Sequence, residues 1–342
     1  MKQSPAPSPG SKSVTLAARP ERGRRVPPAG CEVCQYKIVK EKTNASRIIV
    51  GVGELLWDLL PSGKQLGGAP ANFAYITNLF GDTGTPASRV GRDSLGDEAL
   101  DRLAQLGLSA DYIQRDPTQP TGTVQIEVDA AGQPDFEIAE PVAWDSLDWT
   151  PQWQMLAQQA DAVCFGSLAQ RSERSRATIC KFVQASRPNA VRIFDVNLRQ
   201  NFFAAEILAA SMTLATIIKL NQEELPRIMR LLELEHHGDE DSARRLLSLH
   251  DLELVCVTRG NGGSLLVTAD QSSAHPGFKV EVADTVGAGD AFTAALVQGY
   301  LRGTSLAQIN ETANRVGAWV ASQPGAMPTL KASLAHTLAA IG

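Results

Sequence analysis

From Arg47 onward, short apolar runs of strand length alternate with longer stretches whose apolar residues recur at helical spacing, and this alternation restricts the fold more than any other feature. "RIIVGVGELLWDLLP" reads as a first strand and its continuation, and "APANFAYITNLFG" as a helix ending at Gly81. "DSLGDEALDRLAQLG" reads as a second helix, with Asp93 or Ser94 as N-cap and Gly107 after its end. "DAVCFGS", "AVRIFDVN", "ATIIKLN" and "LELVCVTRG" are further strand-like runs, each closing on polar or glycine residues. Strands alternating with helices predict a mostly parallel sheet covered on both faces, a three-layer α/β/α sandwich. Ligands of such sheets lie beyond the carboxyl ends of the strands, where Asp195, Asn197, Asn221, Thr258, Arg259 and Gly260 fall.

Residues 120–140 break the alternation. "PTGTVQIEVDAAGQPDFEIAE" switches between apolar and polar residues around "DAAGQP", which predicts a β-hairpin. With the extended "ELLWDLLPSGKQLGG", it would build a small projecting sheet, a lid formed from about 54–66 and 120–140.

Composition narrows the classes of function. The 342 residues are 43% hydrophobic and contain no run of about 18 apolar residues, so no membrane span is expected. Residues 1–45 carry nine Lys or Arg against three Glu, whereas the remainder carries 23 against 34. An acidic body argues against a nucleic-acid partner. The basic stretch is rich in proline and lacks apolar periodicity, which is the composition of a disordered extension, a transit peptide or a mis-assigned start; residues 46–342 are read as the folded domain. Cys164, Cys180 and Cys256 sit in apolar runs and read as core residues, and the lone pair Cys31 and Cys34 reads as incidental. An odd count of five without a secretory signal points to a reducing, cytoplasmic compartment.

"DTVGAGDAF", residues 284–292, places Gly287, Ala288 and Gly289 just before Asp290 at the start of an apolar helix. Glycine is costly inside a helix but lets backbone N–H groups approach a ligand at its start, where the helix dipole favours an anion. Asp290 is explained equally well as a residue that complements the dipole or as a base beside an anion site. "LGGAPAN" (66–72) sets a second glycine pair before a helix, with Asn72 in its first turn. "KLNQEEL" (219–225) spaces Asn221 and Glu224 as a capping box does, and "VTRGNGGSLL" (257–266) reads as a glycine-rich turn between two strands.

Taken together and in this order, "GGAPANFAY", "NQEE", "TRGNGGS" and "DTVGAGDAF" resemble the signatures of the ribokinase-like carbohydrate kinases of the phosphofructokinase-B type, over about 48–330. The resemblance implies a ribokinase-like fold and ATP-dependent phosphorylation of a sugar hydroxyl. It implies Asp290 as general base, with the amides of Gly287, Ala288 and Gly289 as an anion hole. Asp58, Gly67, Gly68 and Asn72 would hold the sugar, joined by Arg199 in "DVNLRQNFF". Asn221 and Glu224 would organise Mg2+ and the phosphates, Glu224 through water, while Thr258, Gly260 and Asn314 would line the nucleotide. The hairpin would be the lid that excludes water. A monovalent cation such as K+ and a homodimer are left open.

"GELLWDLLP", "DVNLRQNFF" and "FEIAEPVAWD" look most similar to fructokinases, and the acidic lid disfavours a carboxylated acceptor, so D-fructose yielding fructose 6-phosphate is expected. The alternatives are 2-keto-3-deoxygluconate, ribose or a non-catalytic regulatory relative.

Overall fold

The computed structural model describes residues 46–342 except 61–62, 129–133, 331–332 and 340–342. The N-terminal extension with Cys31 and Cys34, and the turn expected within "DAAGQP", lie outside the described residues. The main sheet begins with β1 (Ile48–Val52); the hairpin of β2 (Leu56–Leu60) and β3 (Gly63–Gly67) then leads into helix α1 (Ala69–Leu79). β4 (Thr83–Gly91), α2 (Ser94–Gln105) and β5 (Ile113–Asp116) follow, and then a second hairpin of β6 (Gly122–Val128) and β7 (Pro134–Ile138). From α3 (Pro151–Gln159) the chain alternates: β8 (Ala162–Gly166), α4 (Glu173–Ala185), β9 (Val191–Asp195), α5 (Ala205–Leu214), β10 (Ile217–Asn221), α6 (Glu224–Leu231), α7 (Asp239–His250) and β11 (Leu254–Thr258). β12 (Ser264–Val267), β13 (Ser272–His275), α8 (Ala288–Leu301), α9 (Leu306–Ala321) and α10 (Leu334–Ala339) complete it.

The large sheet runs β13-β12-β11-β10-β9-β8-β1-β4-β5, parallel from β11 to β5 and antiparallel at the β12 and β13 edge. Side chains along its strands serve two cores by simple alternation. Val50, Val163, Phe165, Val255 and Val257 face the helices α3 to α7, while Ile49, Ala162, Cys164, Leu254 and Cys256 face α1, α2, α8 and α9. Burial on both faces explains why these strands read as continuous apolar runs. Cys164 and Cys256 are buried free thiols, as their apolar settings predict, whereas Cys180 on α4 is only partly buried. Among the described residues no helix is long and apolar enough to cross a membrane.

The second sheet, β3-β2-β6-β7, is separate. The run that reads as one strand and its continuation is split by Gly53–Leu55: β1 belongs to the large sheet, whereas β2 pairs with β3 and, in parallel, with β6. Ser88 holds the break by donating its hydroxyl to Gly53 O at 2.6 Å.

α1 rides unusually close to β1. A Cβ on Gly51 would stand 2.8 Å from Pro70 Cα and 2.9 Å from Pro70 C, which is backbone that cannot yield without shifting the helix. Gly51→Ala is therefore expected to lower stability by about 1–3 kcal/mol, the usual cost of forced overpacking. Urea unfolding of the purified variant measures it, and wild-type stability would refute the close approach.

Candidate active site

The N-terminus of α8 is shaped by a backbone conformation that few residues adopt. Gly287 has φ +75°, and a side chain there would collide with Ala326. The turn ahead of it is pinned from several sides. Val286 N–H donates to Asp284 Oδ1 (2.9 Å) and Gly325 N–H to Asp284 Oδ2 (3.2 Å). Ala283 and Asp284 N–H both donate to Ala321 O, at 2.9 and 3.2 Å. Of the expected anion-hole amides, that of Ala288 donates to Thr285 O at 3.3 Å, while those of Gly287, Gly289 and the adjacent Asp290 find no acceptor among the described residues. Unpaired donors at the positive end of a helix dipole form a ready anion site.

Asp290 meets Asn72 across the two motifs. Asn72 Nδ2 donates to Asp290 Oδ2 at 2.8 Å, joining residues 218 apart in sequence. Asn72 is 4% exposed, and its Oδ1 is buried without a partner. A narrow hollow lined by Pro70, Phe73, Phe165, Asp195, Asn197 and Asp290 lies between α1, α8 and the carboxyl ends of β8 and β9. Burial raises the Asp290 carboxyl to about 6; Asp195 adds to the rise, and Asn72, Lys219 and Arg199 oppose it.

The other residues expected to hold the acceptor come from β2, the start of α1 and the loop after β9. Asp58, on β2, leans over Gly67, where a Cβ would strike its carboxylate. Gly68 is the N-cap of α1 with φ +109°, and a side chain there would meet Glu54 O. Burial lifts the Asp58 carboxyl to about 6, against the pull of Arg199 and with the push of Asp284. Arg199 follows β9, is exposed, and is close enough to lower the pKa values of Glu54, Asp58 and Asp290.

Asn221 and Glu224 sit at the end of β10, beside Thr258 at the end of β11. They form the reciprocal cap that their spacing predicts. Asn221 Oδ1 accepts from Glu224 N–H (2.8 Å) and Glu223 N–H (2.9 Å), and Glu224 Oε2 accepts from Asn221 N–H (2.8 Å). Glu224 Oε1 also accepts from Leu198 N–H at 2.7 Å, tying α6 to the loop that carries Arg199. Burial raises the Glu224 carboxyl, opposed first by Lys219. Gly260 takes φ +56° in a short turn between β11 and β12. Asn314 lies on α9, where its Nδ2 donates to Ser264 Oγ (2.7 Å) and Asn310 O (2.8 Å) within a buried network.

Two charged residues escape a reading of motifs. Glu54, 5% exposed, follows β1 and accepts from Ala69 N–H at 3.3 Å; burial raises it to about 7, and the charge of Asp290 adds to this. Lys219, 8% exposed on β10, places Nζ 3.1 Å from each oxygen of Asp195. The available signal was a lone charge inside an apolar run, in "GVGELL" and "ATIIKLN".

Comparison with known proteins identifies the family. Residues 62–332 match the family model described as pfkB family carbohydrate kinase. A fructokinase of Klebsiella pneumoniae is 33% identical over 264 residues, covering 72% of this chain and 82% of that one. The ATP complex of an uncharacterized sugar kinase from Pyrococcus horikoshii superposes with a TM-score of 0.70 at 28% identity, covering 82% of this chain and 94% of that one. A Vibrio cholerae fructokinase double mutant, solved with fructose, ADP and potassium ion, gives 0.72 at 26% identity, with coverages of 87% and 98%.

Glu54 allows a test of this electrostatic picture that is independent of any activity. Its pKa is raised from 4.5 to about 7 on folding, so between these values the native state binds more protons than the unfolded chain, and stability falls as pH rises. Glu54→Gln keeps the acceptor oxygen and cannot ionise. It is expected to be more stable than the parent by on the order of 2 kcal/mol at pH 8 and to lose this advantage near pH 4.5. Urea unfolding at the two pH values checks this, and equal stability at pH 8 would refute it.

Proposed function

The chain belongs to the pfkB family of carbohydrate kinases, and from that premise we propose that it transfers the γ-phosphoryl group of ATP to the 6-hydroxyl of D-fructose. The observation that carries this reading is the Asn72–Asp290 contact at a helix N-terminus with free amides. Asn72 engages one carboxylate oxygen of Asp290 and leaves the other for an incoming hydroxyl. A pKa of about 6 makes Asp290 ionised at neutral pH yet basic enough to take a proton in the transition state. The hydroxyl oxygen bonds to the γ-phosphorus, its proton passes to Asp290, and the bond to the ADP oxygen breaks. The free amides of Gly287 and Gly289 stabilise charge on the transferred group.

When bound, Mg2+ would neutralise the β- and γ-phosphates. Among the described residues no group of three or more His, Cys, Asp or Glu is placed to cage a metal. Glu224 has both oxygens engaged by backbone N–H groups and suits contact through water, as Mg2+ prefers. Thr258 and Gly260 line the adjoining nucleotide side, and Asn314 lies behind it on α9.

Asp58, Gly67, Gly68 and Arg199 hold the acceptor beneath the small sheet, which excludes water as a competing acceptor. Three carboxyl groups, Glu54, Asp58 and Asp290, share the influence of Arg199, and Lys219 acts on Asp290 as well. That balance favours a neutral polyol over a sugar acid, and the fructokinase relatives point to a ketohexose.

Two measurements test the reading. Asp290→Asn is expected to fold with at most about 1 kcal/mol of lost stability and to lose roughly 100-fold or more in turnover. Near-normal turnover would remove Asp290 as the base. With ATP and Mg2+, release of ADP is compared across D-fructose, ribose, other neutral sugars and 2-keto-3-deoxygluconate. D-fructose is expected to give the highest kcat/KM, and a higher value for the sugar acid would overturn the acceptor assignment.

A further inference from the structure

Asp195 closes β9 and Lys219 lies opposite it in the middle of β10; both are buried, under the start of α8. Asp195 is 4% exposed and Lys219 8%. Lys219 Nζ donates to both oxygens of Asp195, each at 3.1 Å. The same ammonium lies 3.0 Å from where a Cβ on Gly289 would project, so the cation packs closely under the glycine turn. Asp195 is also tied to the helix. Thr293 Oγ1 donates to Asp195 Oδ2 at 2.8 Å, with Gly289 O as alternative acceptor at 2.9 Å. Thr293 follows Asp290 by three residues, so it shares that face of α8.

We propose that Asp195, Lys219 and Thr293 are positioning residues of the phosphoryl-transfer site, fixing the first turn of α8 and holding a permanent cation under Gly289. Burying an ion pair gains little stability by itself, because desolvation offsets most of the attraction. Its value here is placement. The pair anchors the helix end that carries the base and the free amides, and its ammonium stays charged: burial alone would lower its pKa, but Asp195, Glu224 and Asp290 outweigh burial and raise it.

The proposal rests on Asp290 being the base, and the pH profile exposes the link. The groups facing Asp290 are Asp195 from β9, Lys219 from β10, Glu54 after β1, Arg199 after β9, Asn72 from α1 and the buried thiol of Cys164 from β8. Activity should rise with pH as Asp290 loses its proton. In the full chain, Asp195→Asn removes a negative neighbour and is expected to move this acidic limb of kcat/KM to lower pH. Lys219→Met removes a positive one and is expected to move it to higher pH, each by about half a unit or more.

Each of these variants strands a buried charge, which costs about 3–5 kcal/mol and can prevent folding. Two variants that strand none are measured beside them. Thr293→Val keeps the pair and cuts only the tie to α8; kcat is expected to fall about 10- to 100-fold, the range for outer-shell supports, with little change in either KM. The double variant Asp195→Asn with Lys219→Met is expected to fold and to lose kcat by a similar factor. An unmoved limb in the folded single variants overturns the proposal. Where the singles do not fold, wild-type kcat in both Thr293→Val and the double variant overturns it. Asp290→Asn in the same assay separates the two readings: if it is inactive while the others behave as wild type, the positioning role alone fails, and if it is active, both fail.

Discussion

β1 has neighbours that come from opposite directions in the chain, and the position of the site follows from this. β4 and β5 extend the sheet on one side of β1, whereas β8 and everything after it extends the other. Connections that diverge from such a point leave the carboxyl ends of β1 and β8 without a crossing loop, which opens a crevice. α1 and α8 bound the crevice from the same face of the sheet, and both belong to the core that includes Ile49 and Cys164. α1 comes close because Gly51 and Gly84 offer no side chains to hold it away from β1 and β4. Asn72 thereby reaches Asp290 at hydrogen-bond distance.

The crevice concentrates charge in a place where charge is expensive. Glu54, Asp58, Glu224 and Asp290 all have raised pKa values, and burial is the largest cause for each. A fold selected only for stability would place apolar residues there, since buried ionisable groups gain less than well-packed hydrocarbon. The surrounding structure absorbs the cost. Two continuous cores line the faces of the large sheet, and aromatic pairs such as Trp153 and Phe182, edge to face at 5.8 Å, reinforce one of them. Perturbed carboxyl groups gathered in a crevice beside free helix-terminal amides mark a working site more than a structural one.

Much of this architecture was legible in the sequence because it depends on local period and local turn chemistry. Strands buried on both faces give unbroken apolar runs, and glycine before a helix gives its position away. What was hidden depends on which segments meet. The segment after β1 reads as part of a small sheet with the 120–140 hairpin, but nothing in "GVGELLWDLLP" marks where β1 ends or that β2 runs parallel to Gly122–Gln125. Glu54 and Lys219 read as strand residues because their partners, Ala69, Asp290 and Asp195, come from other elements. Asn314 reads as a ligand-facing amide, yet its nitrogen is committed to Ser264 and Asn310.

The Asn221 and Glu224 pair shows why structural and functional readings of one motif need not compete. Their spacing is that of a capping box, and the reciprocal bonds of a capping box are present. Such bonds do more than stabilise a helix end, because they fix the rotamer of the carboxylate. With one oxygen held by Asn221 N–H and the other by Leu198 N–H, the remaining lone pairs of Glu224 keep a set direction. A carboxylate restrained in this way suits a hydrated ion, whose water shell tolerates a fixed acceptor at its edge better than a competing inner ligand. The bond to Leu198 also joins this helix end to the loop bearing Arg199, so one side chain ties together the segments that follow β9 and β10.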